Sequence, residues 1–415
     1  MAIVRPFKAV RPTKELAARV AALPYDVMSS EEAREMVKDN PYSFLHVDKA
    51  EIDLPEDTNL YDQSVYKKAK SNLQEMISTG VFFQEEKSNL YIYRLISKGR
   101  SQTGIVACTS IDEYLNNSIK KHEYTRPDKE ADRINHVDYC DANTGPIFLT
   151  YKNKKDIDTI VSEIIKNSPE YDFIAEDGVT HMVWAVEEDV IIEKLCTLFQ
   201  AVESLYIADG HHRCASAARV GQMRRQEKPE YTGEEEFNFF LSVIFPEKDL
   251  YIMDYNRIVK ELNGHSEQGF LQKVSDKFKV KEYCLEGPYK PSSKGTYGMY
   301  LNGKWYQLEI KDGISDLTHP VKSLDVSILQ DNLLYPILGI EDPRTDERID
   351  FMGGIRGLEA LRRKVDGGKM KVAFSMYPTT IEELMNIADA GEVMPPKSTW
   401  FEPKPRSGLF IHTLK

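Results

Sequence analysis

Tyr206-Ile207-Ala208-Asp209-Gly210-His211-His212-Arg213-Cys214-Ala215-Ser216-Ala217-Ala218 leads from an apolar, strand-like run through an acid, a glycine, two imidazoles and a guanidinium into an alanine-rich helical run. Gly210 has no Cβ and can take the positive-φ corner between strand and helix, which leaves the first-turn N–H groups open to whatever lies in front of the helix. Those groups and the helix dipole favour phosphate or carboxylate, and the planar fork of Arg213 matches either. A plain anion cradle does not need Asp209. Beside a bound phosphate this acid repels unless a cation bridges the two or the acid takes part in proton transfer, so the stretch reads as phosphate chemistry with Mg²⁺. The plainer alternative is a common Asp-Gly turn and a solvated helix cap with no ligand.

Strand and helix signals alternate on both sides of this turn, which predicts an α/β (α+β) fold. Upstream, Thr13 to Leu23 has helical spacing, Ser29-Ser30-Glu31-Glu32 resembles a helix N-terminus, and Asp62 to Thr79 is an amphipathic helix closed by Gly80. Leu90 to Ile96 and Gly104 to Ser110 read as paired strands, Gly145 to Tyr151 and His181 to Ala185 as further strands, and Ile157 to Lys166 and Val190 to Phe199 as helices. Downstream come a strand at Phe240 to Phe245, a helix at Gly264 to Lys277, a hairpin around Asn302-Gly303, a helix-rich stretch at Val321 to Ile340, a strand at Lys371 to Met376 and a helix at Thr380 to Ala390. A chain of 415 residues is too long for one simple core. Two domains are expected: 1–250, carrying the turn, and 251–415, a second α/β region whose Pro/Lys-rich tail returns to the site.

With 41% hydrophobic and 29% charged residues the composition is that of an ordinary globular protein, and a net charge of -12 argues against gripping a nucleic-acid backbone. The stretch Met1 to Lys8 lacks the pattern of a signal peptide, and no apolar run approaches membrane-spanning length, so a cytoplasmic protein with no membrane partner is expected. Five dispersed cysteines without a CxxC pair read as free thiols rather than a structural zinc site. Cys214 reads as a packed small side chain rather than a nucleophile.

Three other polar groups accompany the turn. His122, Glu123 and Thr125 lie in a basic run, Lys120 to Arg126, where Glu123 supplies a second carboxylate; a solvated, charge-paired helix start is the alternative. The run Met394-Pro395-Pro396-Lys397-Ser398-Thr399, continuing to Lys404, presents cations and hydroxyls from a proline-restricted segment suited to phosphate, unless it only packs Trp400 and Phe401 on a core. Tyr25 and Asp26 follow Pro24 in a loop near the amino terminus.

These motifs, together with Arg5-Pro6-Phe7, Pro24 to Val27 and Gly145-Pro146-Ile147, resemble the family catalogued as domain of unknown function one thousand and fifteen. The Asp-Gly-His-His-Arg turn is similar to the phosphate-binding turn of the ParB/sulfiredoxin superfamily, and the free serine kinases of that superfamily combine it with an upstream glutamate. The resemblance implies a Mg²⁺-dependent kinase transferring a phosphoryl group to free L-serine from ATP, ADP or pyrophosphate. Glu123 would be the base, with Asp209, His211 and His212 as the other catalytic residues; Asp209 would hold the metal. Gly210, His212, Arg213, Lys397, Ser398, Thr399 and Lys404 would bind phosphate, and Tyr25, Asp26, His122 and Thr125 the substrate. The serine kinases are much smaller, so the function of the carboxyl-terminal half is not carried over, and His211 stands where sulfiredoxin has its cysteine. A ParB-type nucleotide switch and a phosphohydrolase are the rival functions, and the oligomeric state, a homodimer included, stays open.

Overall fold

Leu90 to Tyr93 and, Ser242 apart, Phe239 to Pro246 are apolar at successive positions, the pattern of strands covered on both faces, and both are buried throughout. They lie in the middle of a nine-stranded mixed sheet. Its strands are β1 (Val4–Arg5), β2 (Leu90–Ser97), β3 (Arg100–Ser110), β4 (Ile119–Lys120), β5 (Ile147–Tyr151), β6 (Tyr171–Ile174), β7 (Thr180–Val186), β8 (Leu205–Asp209) and β9 (Phe239–Pro246). The order is β4-β8-β5-β9-β3-β2-β7-β6, with β1 beside β3. The β4–β8 and β5–β9 pairs are parallel and the others antiparallel. The computed structural model describes residues 2–314, 316 and 318–415. They divide into two compact units, one running to Leu250 and resuming at Pro403, the other Tyr251–Glu402.

In the first unit α1 (Ser30–Val37) opens on a reciprocal cap between Ser29 and Glu32, and α2 (Gln63–Ser78) opens on Asp62, which accepts the Ser64 N–H. They are followed by α3 (Pro127–Cys140), α4 (Lys155–Ile164), α5 (Asp189–Gln200) and α6 (His211–Glu227). Leu195 and Phe199 of α5 and Cys214, Ala217 and Ala218 of α6 pack with Ile92, Ile105, Ile147, Leu149, Ile207 and Phe240 in one apolar core. The small residues of α6 permit this closeness: a Cβ at Gly221 would come 2.5 Å from Ile111 Cδ1 and from the Phe237 carbonyl. The helix expected over Thr13 to Leu23 shrinks to Ala17–Val20. Ala22 instead exchanges backbone hydrogen bonds with Ser407, a tertiary pairing that helical spacing cannot foresee.

Ser407 belongs to residues 403–415, which join the first unit rather than the second. Ile411 bridges Val10, and His412–Thr413 pairs with Ala142–Asn143. Arg406 fastens this segment: its Nε donates to His181 Nε2 at 3.3 Å, its backbone N–H donates to the Tyr93 hydroxyl at 3.3 Å, and its other end pairs with Asp177. Burial, with the Arg406 charge adding to it, pushes the His181 imidazole down to about 3, so the ring is neutral and accepts the guanidinium proton. Arg406→Ala should cost about 2 kcal/mol, since Arg406 is buried but Asp177 is half exposed. Denaturant unfolding together with faster amide exchange across 403–415 measures it; an unchanged midpoint and exchange rate would remove the fastening role.

In the second unit a six-stranded antiparallel sheet has the order Phe278–Tyr283, Lys304–Ile310, Thr296–Leu301, Val372–Ser375, Tyr255–Val259, Ile349–Gly353. Asn302 and Gly303 both take positive φ (46° and 79°), as the expected two-residue hairpin turn requires. Within Val321 to Ile340 the helical residues are Asp325–Leu329, continued by one wider turn at Gln330–Leu334. Burial pushes the Asp325 carboxyl up to about 7, only partly offset by the Gly295 N–H at 2.9 and 3.1 Å from its two oxygens. An acid whose folded pKa exceeds its unfolded value binds more protons when native. Its contribution is therefore complete below about pH 4 and is lost as the pH rises through 7. Asp325→Asn should flatten the fall in melting temperature between pH 5 and pH 8, and an identical pH slope in the variant would refute the assignment.

Candidate active site

Strand β8 carries a bulge: Ile207 pairs with Leu149 and Asp209 with Phe148, so Ala208 is the extra residue. The bulge breaks the alternation that sends Leu205 and Ile207 into the core, and Asp209 stays half-buried at the strand end. Gly210 follows with φ 95° and ψ 32°, the left-handed corner, and as the residue before the 17-residue α6 it has no side chain with which to cap that helix. The Arg213 guanidinium lies against this corner, since a Cβ on Gly210 would fall 3.1–3.2 Å from its Nε, Cζ and Nη2. The structure thus joins a left-handed glycine corner at a helix start to a flanking guanidinium and a flanking carboxylate.

Around it, Lys404 Nζ donates to Asp209 Oδ2 at 2.6 Å. Burial works against the Asp209 charge, but Lys404 and Arg213 hold the carboxyl well below the usual range, so it is ionised. His122 and His211 are both buried, with ring centroids 4.4 Å apart and planes at 89°. Burial pushes His122 down to about 4 and His211 well below its ordinary value, more than the nearby Asp209 raises them, and both rings are neutral at pH 7. His211 Nε2 accepts the His122 backbone N–H at 3.5 Å, while His211 Nδ1 stands 4.0 Å from Glu123 Oε2. His212 Nε2 accepts the Arg126 N–H at 3.0 Å. Residues far apart in sequence are thus collected at one helix start: His122, Glu123, Asp209, His211, Arg213 and Lys404.

Behind the turn, Arg213 Nη1 donates to the Pro146 carbonyl at 2.5 Å, and its buried Nε makes no hydrogen bond. The guanidinium borders a water-sized cavity of about 30 Å³ lined also by Tyr25, Asp48, Arg133, His136 and Thr144. The Tyr25 ring lies under the Arg133 guanidinium at 4.1 Å, and Thr144 Oγ1 donates to Asp48 Oδ1 at 2.8 Å. Gly145 is needed here, because a Cβ would meet Ser407 Oγ at 2.8 Å. Asp48, Arg133 and His136 escaped the sequence reading as site residues. Arg133 and His136 sit three apart on α3, and a buried charge at helical spacing was the one available signal.

The remaining expected residues are placed differently. Tyr25 reaches the Arg213 cavity, but its neighbour Asp26 is exposed, and Thr125 Oγ1 is committed to Glu130 at 2.8 Å. Lys397, Ser398 and Thr399 belong to the second unit. There the Lys397 carbonyl accepts from Arg257 at 3.1 Å, and Ser398 Oγ donates to the Pro395 carbonyl at 2.6 Å. Asp209, expected to hold a metal, already has one oxygen on Lys404, so a cation there competes with an ammonium group.

The fold is mixed α/β, with a polar cluster gathered where a sheet strand enters a helix. The chain belongs to the family described as "Protein of unknown function (DUF1015)", whose model matches residues 4–327. No curated protein matches it. Among solved structures it is similar to a free serine kinase in complex with AMP, at 15% identity over 72% of this chain and 86% of that chain, with a TM-score of 0.35. A conserved hypothetical protein from Pyrococcus furiosus is similar at 16% identity over 74% and 94%, TM-score 0.35. So is a C-terminally truncated SbnI from Staphylococcus aureus, at 10% identity over 73% and 85%, TM-score 0.36. At these levels no residue role transfers to this chain. Among the described residues no helix is long and apolar enough to cross a membrane.

Proposed function

We propose that this protein is a small-molecule kinase of the ParB/sulfiredoxin type. The observation that carries the reading is the glycine corner that opens α6, flanked by Arg213 and the Asp209–Lys404 pair, with Glu123 alongside. The terminal phosphates of ATP, ADP or pyrophosphate would lie on the first-turn N–H groups, with Arg213, His212 and Lys404 carrying charge as it shifts toward the leaving oxygen. Glu123 would take the proton of the acceptor hydroxyl as its oxygen bonds to phosphorus and the bond to the leaving phosphate breaks. Asp209 would hold Mg²⁺ in competition with Lys404, and the ion would supply the positive charge that lets a carboxylate stand beside phosphate.

Free L-serine is the proposed acceptor. Phosphorus NMR with Mg²⁺, each donor in turn, and serine present or absent tests the reading: a phosphomonoester signal that requires serine is the expected result. Donor breakdown regardless of serine would replace it with a phosphohydrolase, and binding without turnover with a nucleotide switch. Glu123→Ala should lower kcat about 100-fold or more while donor affinity stays within about twofold. Equal turnover in the variant would take Glu123 out of the mechanism.

A further inference from the structure

We infer that His122, Glu123 and His211 bind one first-row transition-metal ion of the Zn²⁺, Mn²⁺ or Fe²⁺ kind. One nitrogen of each imidazole and one Glu123 oxygen all lie within 4.8 Å of one another. The pairing of β4 with β8 produces this closeness: Ile119 is opposite Leu205 and Lys120 opposite Tyr206, so the parallel strands deliver His122-Glu123 and His211 to the same end of the sheet. The inference does not need the kinase reading, which puts Mg²⁺ at Asp209, but it replaces one part of it: a Glu123 carboxylate that holds an ion is not the base for the acceptor hydroxyl.

His122 supplies the independent sign of a ligand. It is 1% exposed, and neither ring nitrogen makes a hydrogen bond of ordinary geometry, although the Ile207 backbone favours its charged form. Buried polar groups are rarely left this way, and a neutral imidazole facing another imidazole and a carboxylate is a ready metal ligand. Glu123 Oε2 and His211 Nδ1, 4.0 Å apart, fall inside the roughly 4.2 Å that two donors about 2.1 Å from one ion can span. A donor pair at the 4.8 Å outer separation must close by about 0.6 Å before one ion reaches both donors. Metal on His211 Nδ1 places the ring proton on Nε2 and gives up the His122 N–H contact, which at 3.5 Å is long.

Two nitrogens in three donors select against Mg²⁺ and Ca²⁺, which favour oxygen, and for the imidazole-binding metals. Three protein donors leave a position open for water or an anionic oxygen. Glu123 then holds the ion rather than taking a proton.

The test titrates Co²⁺ into the full-length, chelator-stripped protein without nucleotide or serine, reading visible absorption, followed by displacement with Zn²⁺. One saturable equivalent is expected, displaced stoichiometrically by Zn²⁺. Glu123→Gln should weaken it at least tenfold and His122→Gln or His211→Gln further, while His265→Gln in the second unit binds as the parent does. Circular dichroism of each variant checks folding, and Glu123, part-exposed, tolerates the amide. Absence of a one-to-one site, or Glu123→Gln and His122→Gln affinities within twofold of the parent, overturns the inference. So does a Glu123→Gln protein that keeps the ion and loses turnover, whereas failed phosphoryl transfer by an ion-binding parent counts against the kinase alone.

Discussion

Asp209→Asn should lower the melting temperature by about 4 °C and, with Mg²⁺ present, weaken phosphate-donor binding at least tenfold, because the amide no longer holds the cation. The substitution leaves the Lys404 ammonium, 8% exposed at its side chain, without the carboxylate that neutralises it. Removing one partner of a fully buried pair costs about 3–5 kcal/mol, and because Asp209 retains 23% exposure about 2 kcal/mol is the fitting figure here. Lys404→Met in the same background should restore most of the stability, since no lone charge then remains, but not the donor binding. A double-mutant cycle with thermal melts and calorimetric titration of ADP and pyrophosphate reads both quantities. Additive stability losses would show that the two side chains do not act as a pair.

Gly210→Ala produces the second large effect. At φ 95° an L residue is strained by about 1–2 kcal/mol, and its methyl group would press on the Arg213 guanidinium at 3.1–3.2 Å. Arg213 is anchored through the Pro146 carbonyl, so it yields by tilting out of the position that faces a bound anion. Donor affinity should therefore drop at least tenfold with a modest change in melting temperature. Affinity equal to that of the parent would mean the phosphates do not lie on this turn.

Local signals in the chain were legible because each depends on residues a few positions apart. Ser29 with Glu32, Asp62 with Gly80 and Asn302 with Gly303 mark element ends through caps and turns, and all appear where expected. The Asp209-Gly210 corner was readable for the same reason. What eluded the sequence was set at long range. The Ala208 bulge that turns Asp209 out of the core depends on the neighbouring strand, and the capture of Ala22 by Ser407 ended a helix that local spacing favoured. The cavity of Asp48, Arg133 and Thr144 joins three elements with no shared motif. Lys404 was singled out with Lys397, Ser398 and Thr399 as one phosphate-binding tail, yet it lies in the first unit and they lie in the second.

Lys404 meets Asp209 across 195 positions of sequence, and the intervening second unit begins and ends on adjacent backbone, where the Glu402 N–H donates to the Tyr251 carbonyl at 3.1 Å. Topologically the second unit is a cassette spliced into a chain excursion whose two ends touch. On the ribosome, the first 250 residues emerge before the segment that neutralises their half-buried Asp209, and that charge waits until the whole cassette has been synthesised. A nascent chain therefore has its glycine corner but not the counter-cation of Asp209, so translation order itself leaves that pair unmade until Lys404 arrives.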